Sequence, residues 1–394
     1  MADERRSAEP LTAESFRLMQ APPAAETASG RPRGRLADSL SRLKHNKAAV
    51  ISFWLILLIT LMALLGPGMT PYGYRDQLVK EELVNMPPRI RGLTWLPLFN
   101  GHTTVRDRKV SALNDPGKYP PGSVVRIFNE RTVRGEQVAD AELDAYVYHG
   151  ADDSVNFWFG TDSLGRDLWT RVWRGTRISL MIAAFSVLTD LLIGTLIGAV
   201  SGYYGGTADL LLMRLCDIVG AIPNVVVCTL MILMMGSGVT TMIIAMAARN
   251  WVGSARLMRT QFLRFRDREY VLAAKTMGVP DRKLILRHIL PNAAGPMITR
   301  AVLAVPGAIF TEAFLSYIGL GVPAPEPSLG TLLSSAQEVL TLYPTQTLFP
   351  ALVLLVLMIA FNLLANGLRD ALDPSLRGEE QKRGKRAFDS KVSQ

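Results

Sequence analysis

Long apolar blocks constrain this chain more than any other feature of its sequence. Almost half of its 394 residues are hydrophobic (49%), and they are concentrated in nearly uncharged blocks. An α-helix needs about 20 apolar residues to cross the hydrocarbon core of a bilayer. The sequence therefore predicts an all-α polytopic membrane protein with six transmembrane helices, at residues 48–65, 178–200, 210–235, 239–252, 295–320 and 348–368.

The basic residues predict the orientation of these spans. The chain carries a net charge of +9, and its Lys and Arg residues lie mainly at the ends of apolar blocks, which indicates topology and not nucleic-acid binding. The loop 253–292 is rich in Arg and Lys, whereas the loop 321–347 has neither. Because basic loops stay in the cytoplasm, both termini are predicted to be cytoplasmic.

The segments outside the spans differ in composition. Residues 1–47 and 375–394 are polar and basic and are predicted to be disordered cytoplasmic tails. A signal peptide is the alternative for the first apolar block, at 48–66. The Gly66-Pro67-Gly68 exit and the lack of a small-x-small cleavage site favour an uncleaved span.

Residues 67–160 form a polar segment of mixed charge between the first two spans. Short alternating runs at 123–128 and 145–149, separated by Pro, Gly and Asp, are typical of strands. We predict a small β-rich extracytoplasmic insert. Both cysteines, Cys216 and Cys228, lie in one apolar region, so no disulfide framework is expected.

The basic stretch 267–292 lies between spans and is interrupted by Gly278 and Pro280. We predict two short helices joined at a left-handed Gly278. Asp267 is placed to cap the first helix, and the second begins at Pro280 and ends at Pro291. One face of the first helix carries apolar residues at helical spacing, namely Tyr270, Ala273, Ala274 and Met277. Such a pair of helices is predicted to form a rigid protrusion to which a cytoplasmic partner can bind.

Several residues inside the spans call for an explanation. The glycines Gly194, Gly198 and Gly202 recur every four residues, which is typical of close helix packing; a role in lining the substrate path is the alternative. Asp217 can pair with Arg214 at i, i+3 spacing. Soft methionines flank the turn near residue 237, and they suit either a pore wall or ordinary packing; the candidates for lining the pathway are Met234, Met235 and Met242.

Four motifs in one order resemble ABC importer permeases of the oligopeptide and dipeptide (peptide/nickel) family, C-type subunit. The stretch 267–292 resembles the family's coupling loop, whose pattern is Glu-Ala-Ala, three residues, Gly, nine residues and Ile-x-Leu-Pro. Leu272 and His288 stand where that pattern has Glu and Ile, and Glu269 is the substitute for the missing Glu. The residues implied to couple to the ATPase are Glu269, Leu272, Ala273, Ala274, Gly278, Leu290 and Pro291.

The other three motifs lie at the ends of spans. Residues 159–167 (FGTDSLGRD) match the signature before the second span, 312–321 (EAFLSYIGLG) match the fifth span, and 361–374 match the end of the sixth. The residues concerned are Gly160, Thr161, Asp162, Gly165, Arg166, Asp167, Glu312, Ser316, Gly319, Arg369 and Asp370. For 159–167, a turn that caps the next helix is favoured over a phosphate loop, since no G-x-x-x-x-G-K-[ST] occurs. Glu312 is expected to bond neighbouring helices, with gating as the alternative.

The resemblance implies a type I ABC importer permease fold, with a permease core at 161–374 in a bacterial inner membrane. It implies a heterodimer with a second permease subunit, two ATPase subunits that bind ATP and Mg, and an extracytoplasmic solute-binding protein. No catalytic residue, cofactor or metal site is then expected in this chain. The implied cargo is a di- or oligopeptide, with nickel, glutathione or a peptide antibiotic as alternatives.

The sequence argues against two other classes of function. A membrane-bound enzyme requires a clustered nucleophile and base, which the four scattered His and two intramembrane Cys do not supply. The two short basic helices mimic a helix-turn-helix, but the flanking spans leave no room to reach a DNA groove. The insert is predicted to dock the binding protein or to shield the cavity mouth, and a passive decoration is the alternative.

Overall fold

The computed structural model describes residues 41–372, apart from 42, 79–81, 134 and 153. The tails predicted at 1–47 and 375–394 lie almost wholly outside the described residues. Its elements are, in chain order, α1 (Lys47–Leu65), β1 (His102–Lys109), α2 (Val110–Leu113), β2 (Val124–Val133), β3 (Glu136–Asp144), α3 (Ala145–Tyr148), α4 (Leu168–Tyr204), α5 (Gly206–Ala221), α6 (Asn224–Met235), α7 (Val239–Arg266), α8 (Glu269–Thr276), α9 (Asp281–Lys283), α10 (Leu290–Leu315), α11 (Leu329–Gln337) and α12 (Pro344–Leu372). Two π-helical turns, Leu284–Ile289 and Ser316–Leu320, flank α10, and a 3-10 turn, Gly66–Gly68, follows α1.

The described part of the chain has four helices long and apolar enough to cross a membrane, or five if one bent pair counts as a single span. The four are α1, α4, α12 and the continuous helix from Asp281 to Leu320. The predicted fourth span, 239–252, forms the first half of α7, a helix whose second half is rich in arginine. The total of six spans therefore stays a prediction.

The predicted third span, 210–235, is not one straight helix. It consists of α5 and α6, which meet at an angle of 82°. Pro223 precedes α6; proline lacks an N–H to continue the helix, and it disfavours helical backbone at the residue before it. Ile222 accordingly has extended backbone.

The core of the bundle lies where α4 packs along α7. Gly194, Gly198 and Gly202 face α7 so closely that a Cβ at Gly198 would lie 2.3 Å from the carbonyl oxygen of Ala255. At Gly202 the nearest atom to such a Cβ, at 2.6 Å, is the Cβ of Phe262. These glycines are packing residues, because their missing side chains let the two backbones approach.

The segment between α1 and α4 contains a three-stranded antiparallel sheet in the order β1-β3-β2. A strand occupies 124–133, where alternation predicted one, but the strand predicted at 145–149 is wrong. Those residues form α3, because the Asp144 side chain accepts hydrogen bonds from the backbone N–H groups of Tyr146 and Val147 and so caps a helical turn. The extracytoplasmic position of this segment stays a prediction.

The sheet segment is joined to the helical bundle by side-chain contacts. Gln346 in the first turn of α12 donates to Asn85 Oδ1 (2.8 Å) and to the carbonyl of Thr161 (3.1 Å). Phe349 stacks on Phe159 with ring centroids 3.9 Å apart. The segment is therefore packed against the amino-terminal end of α12.

Candidate functional site

Gly278 joins two short helical segments, as the sequence predicts. Its φ is +79°, and α8 ends immediately before it. The N–H of Val279 bonds to the carbonyl of Ala274 (3.2 Å) and that of Gly278 to Lys275 (3.0 Å), so the last carbonyls of α8 are satisfied. We call residues 267–292 the coupling segment.

Two details of the coupling segment differ from the prediction. Asp267 does not cap α8: it follows the end of α7 and bonds to Arg266 Nε (3.1 Å), while Arg268 precedes α8 and makes no side-chain cap. Pro291 does not end the second helix, which continues into α10. The π-helical turn just before Pro291 changes the hydrogen-bond register, so the proline falls in the first turn of α10, where a missing N–H costs nothing.

One side of the coupling segment is buried against the ends of α4 and α7. The apolar cluster there contains Val271, Ala274, Leu284 and Ile289 from the segment, together with Tyr203 and Phe262 from the long helices and four further residues, Ala199, Met258, Ala293 and Met297. Burying such side chains contributes about 1.5–3 kcal/mol each for the larger ones. The segment is therefore anchored to the ends of α4 and α7.

Polar contacts strengthen this attachment. Tyr203 Oη donates to Asp281 Oδ1 over 2.6 Å, which ties the end of α4 to the second short helix. Arg266 Nη1 donates to the carbonyl of Gly202 (3.3 Å). Nearby, Arg259 on α7 forms a bidentate pair with Asp209 at the start of α5, at 2.5 and 2.6 Å. The sequence analysis did not single out this last pair, since its partners are 50 residues apart.

The opposite side of the coupling segment is an exposed apolar surface. Its large side chains are Tyr270, Leu272, Met277 and Leu286, and Met277 is 76% exposed. Ala273 is exposed between them, as are Glu269 and Pro291, whereas Ala274 is buried and Leu290 is half-buried. We call the four large side chains the apolar knob. Basic residues surround it, namely Lys275, Arg282, Lys283 and Arg287, all exposed.

The turn 159–167 is a structural brace at the start of α4. Asp162 accepts from Arg166 Nε (2.7 Å) and from two backbone N–H groups, and Asp167 caps α4 by accepting from the N–H of Thr170 (3.0 Å). Gly160 and Gly165 have φ of +84° and +68°. Burial raises the pKa of Asp167, and hydrogen bonds from Thr170 oppose that rise. The favoured interpretation, a turn that caps the helix, agrees with this geometry.

The same turn also holds the inserted segment. Thr161 Oγ1 donates to the carbonyl of Leu83 (2.8 Å) and accepts from the N–H of Met86 (2.9 Å). A Cβ at Gly160 would lie 2.3 Å from the carbonyl oxygen of Met86. Glycine and threonine in this motif are thus explained by contact with a chain segment about 75 residues earlier.

Glu312 has no exposed surface. It accepts from Ser179 Oγ on α4 (2.7 Å) and from Ser316 Oγ (2.8 Å), and Ser179 in turn accepts from the N–H of Leu329 in α11 (3.2 Å). Three helices therefore meet at one carboxylate. Gly319, with φ of +85°, ends the π-helical turn beside it.

The remaining predicted residues are not brought to a common site. Arg369 and Asp370 are exposed in the last turn of α12. Met242 is fully buried in the apolar core, whereas Met234 is 82% exposed and Met235 is also exposed. Only the latter two can face a partner in this conformation. Asp217 pairs mainly with Arg256 of α7 (2.9 Å), and the predicted partner, Arg214, lies at 4.0 Å.

Outside the coupling segment, a polar cavity of about 410 Å³ lies among α4, α7 and α10. Its charged lining residues are Asp190, Arg249, Arg256 and Arg300. The sequence analysis did not bring these four residues together. Arg249 and Arg300 lie inside long helices, and their positions relative to Asp190 depend on how those helices pack.

This chain is similar to known transport proteins. Residues 194–378 match the family described as binding-protein-dependent transport system inner membrane component, and residues 34–88 match the N-terminal TM domain of oligopeptide transport permease C. The chain is 47% identical to the oligopeptide transport system permease protein OppC of Bacillus subtilis over 224 residues, which is 57% of this chain and 73% of that protein. The dipeptide transport system permease protein DppC of Bacillus subtilis is 34% identical and covers 86% of both chains.

Two further matches were found. The glutathione transport system permease protein GsiD of Pectobacterium atrosepticum is 40% identical over 56% of this chain and 73% of its own length. A chain of the methionine ABC transporter MetNI in an inward-facing conformation has a TM-score of 0.43 and 16% identity, covering 52% of this chain and 96% of that one.

The chain belongs to the binding-protein-dependent transport system inner membrane components. Within that class it is an ABC importer permease of the oligopeptide and dipeptide branch, C-type subunit. Membership supports the expected importer-permease fold class, in a mainly helical chain. The family is one of transport permeases and not of catalytic enzymes.

Proposed function

We propose that this chain forms half of the translocation pathway for short peptides in an ATP-driven importer. The named relatives are oligopeptide, dipeptide and glutathione permeases. Glutathione is the second candidate cargo, because a permease named for it shares 40% identity with this chain. The predicted nickel and peptide-antibiotic cargoes have no counterpart among these three relatives.

The partners follow from the same proposal. A second permease subunit completes the pathway, two ATPase subunits supply the energy with ATP and Mg, and a solute-binding protein delivers the peptide from outside. Both termini then face the cytoplasm of a bacterial inner membrane. The basic coupling segment is on that same side, in agreement with the positive-inside rule.

The apolar knob is the observation that carries the mechanism. Large apolar side chains exposed in a row on a rigid support are typical of a protein interface. A groove on an ATPase would receive Tyr270, Leu272 and Met277, and Glu269 would stand beside Leu272 to supply a charge there. Because the buried face of the segment is packed on α4 and α7, ATPase motion would reach those helices as a rigid-body rotation.

Replacement of Gly278 tests this mechanism. A Cβ at Gly278 meets no atom within 4 Å, so Gly278→Val acts only through its left-handed backbone, which costs about 1–2 kcal/mol. Relief of that strain would tilt α8 and shift the knob. We expect assembly with the partners to persist and peptide uptake into proteoliposomes to fall by about tenfold, the factor that corresponds to such an energy.

Gly236→Val is the matched control, since Gly236 also has a positive φ (+80°) and open space around it but lies in the turn between α6 and α7, outside the coupling segment and the inserted segment. It should leave uptake unchanged. Normal transport by an assembled Gly278→Val complex would remove the proposed role of the coupling segment. Loss of uptake in both variants would show that strain in general, and not the position of the knob, matters.

A further inference from the structure

The polar cavity lies midway along the long helices, away from the coupling segment. Its walls come from residues 186–190 of α4, 249–256 of α7 and 300–311 of α10, and Gly220 at the end of α5 lies at its edge. A volume of about 410 Å³ is within the usual range of small-molecule sites. In a membrane-spanning bundle, ionisable residues at such a place are functional candidates.

The carboxylate of Asp190 has one oxygen without a hydrogen-bond donor. Its side chain is buried, with only 3% of the residue exposed, and its Oδ1 atom has no hydrogen-bond partner. Ser254 and Arg300 are neighbours of this carboxylate, and the charge of Arg300 acts on it. An acceptor buried without a donor is costly, and here it borders a cavity large enough for a ligand that brings one.

Two guanidinium groups in the same cavity, those of Arg249 and Arg300, form no salt bridge within the part of the chain that the structure describes. Arg300 Nε donates to Ser254 Oγ (2.8 Å). Arg249 donates to the carbonyls of Ile222 (2.8 Å) and Gly220 (3.0 Å), which the bend between α5 and α6 leaves free. Arg256 differs, since Asp217 neutralises it over 2.9 Å.

Donor capacity remains on both of these arginines. A guanidinium has five N–H donors, of which Arg249 uses two and Arg300 one in the contacts above. The planar fork of arginine is suited to bidentate binding of a carboxylate. The cavity therefore presents a negatively charged hydrogen-bond acceptor and positively charged hydrogen-bond donors at the same time.

We propose that this cavity binds a short peptide in transit through its two charged termini. The α-ammonium group bonds to Asp190 Oδ1, and the terminal carboxylate bonds to Arg300 and Arg249. A dipeptide extends over roughly 7 Å, so both ends fit in one cavity of this size. This inference rests on the proposed function and names the chemistry that the membrane subunit itself would recognise.

The test is equilibrium binding without the solute-binding protein, so that the measured selectivity belongs to the membrane subunits. The permease subunits and ATPases, purified together in nanodiscs, are titrated with radiolabelled alanyl-alanine and competed with its N-acetylated and C-amidated forms. We expect saturable binding of the free dipeptide. Each blocked form should compete at least about tenfold more weakly, the effect of one lost charge-assisted hydrogen bond.

Two variants assign the termini to residues. In Asp190→Asn the N-acetylated and free peptides should compete about equally, while amidation still weakens binding. In Arg300→Gln the penalty for amidation should shrink, because Arg249 alone then bonds to the carboxylate, while N-acetylation keeps its full effect. Glu338→Gln, which removes an exposed carboxylate outside the cavity lining, should leave the wild-type pattern of competition unchanged.

Several results would overturn the proposal. One is the absence of saturable dipeptide binding to the wild-type complex, and another is equal competition by free and blocked peptides; neither depends on any variant assembling. Unaltered discrimination in Asp190→Asn and Arg300→Gln would also exclude it. Peptide uptake by the complete system with its binding protein separates the two levels: uptake without terminus-dependent binding refutes only this site, whereas no peptide uptake refutes the proposed function.

Discussion

Glu312 shows what one side chain can hold together. In the described residues it forms no ion pair, and its carboxylate oxygens are occupied by serine hydroxyls from α4 and from the turn after α10. A buried carboxylate is tolerated when donors surround it. This geometry supports the expected role of bonding neighbouring helices; gating remains the alternative.

Removal of the Glu312 side chain is expected to loosen this junction. Glu312→Ala leaves the hydroxyls of Ser179 and Ser316 without an acceptor and creates a void, which together cost about 2–5 kcal/mol. Glu312→Gln keeps an acceptor and should cost less than half as much. Thermal unfolding of the purified complex, followed by tryptophan fluorescence, ranks the wild type, Glu312→Gln and Glu312→Ala by their unfolding midpoints.

Glu338→Ala is the control, since Glu338 is exposed in the loop after α11. Its unfolding midpoint should equal that of the wild type. If Glu312→Ala unfolds at the same temperature as Glu338→Ala, the carboxylate does not hold the three helices together.

At the level of elements, the glycine-lined contact between α4 and α7 sets the spacing of the bundle. Gly198→Ala would place a methyl group 2.3 Å from the Ala255 carbonyl and 2.7 Å from the Met258 Cβ. The two helices must then separate, and overpacking of this kind costs about 1–3 kcal/mol. We expect a lower unfolding midpoint and a weaker association of α4 with α7, measured by cross-linking of cysteines placed on the two helices.

Gly295→Ala provides the comparison within α10. A Cβ there meets no atom within 4 Å, and alanine is favoured over glycine in a helix interior by about 0.5–1 kcal/mol. This variant should be as stable as the wild type or slightly more so. Equal destabilisation of both variants would show that loss of any helix glycine is harmful and that the close contact is not the cause.

Local chemistry explains which elements were predictable. The joint at Gly278 followed from a glycine after an apolar helical pattern, and the cap of α4 from the turn motif 159–167 just before it. Pro291 was assigned wrongly because a π-helical turn shifts its position in the helix, and no residue type signals such a turn. The short helix at 145–148 was missed because its alternating pattern resembles a strand, while Asp144 decides the outcome.

Distant contacts were beyond sequence reasoning. The pairing of Arg259 with Asp209, and the meeting of Asp190 with Arg249 and Arg300 around one cavity, depend on how α4, α5, α7 and α10 cross. No spacing within one helix encodes that crossing. The exposed side of the coupling segment and its basic residues were foreseen, but the burial of Ala274 and the bond from Tyr203 to Asp281 were not.

At the scale of the whole molecule, the chain enters and leaves the three-stranded sheet at neighbouring points. The N–H of Ala145, just after β3, bonds to the carbonyl of Gly101, just before β1, over 3.1 Å. Residues 102–143 can therefore be replaced by a Gly-Ser linker, which keeps the Asp144 cap of α3 and the apolar cluster of Met86, Tyr146 and Phe157.

This excision tests the predicted docking role of the insert. If the sheet receives the solute-binding protein, uptake should fall by about tenfold or more while ATP hydrolysis measured without that protein stays unchanged, because the coupling segment is untouched; a tenfold effect corresponds to about 1.4 kcal/mol of lost docking energy. Unchanged uptake would favour the passive-decoration alternative. Reduced ATP hydrolysis would indicate a structural role for the sheet.

The two cysteines of the described chain, Cys216 and Cys228, are free and fully buried. A thiol introduced at Arg282, which is exposed in α9 and lies outside the apolar knob, would consequently react with a maleimide fluorophore or a nitroxide far ahead of either native sulfur. The natural sequence is thus already suited to site-selective spectroscopy, and the swing of the coupling segment during a transport cycle can be recorded without first stripping the protein of its own cysteines.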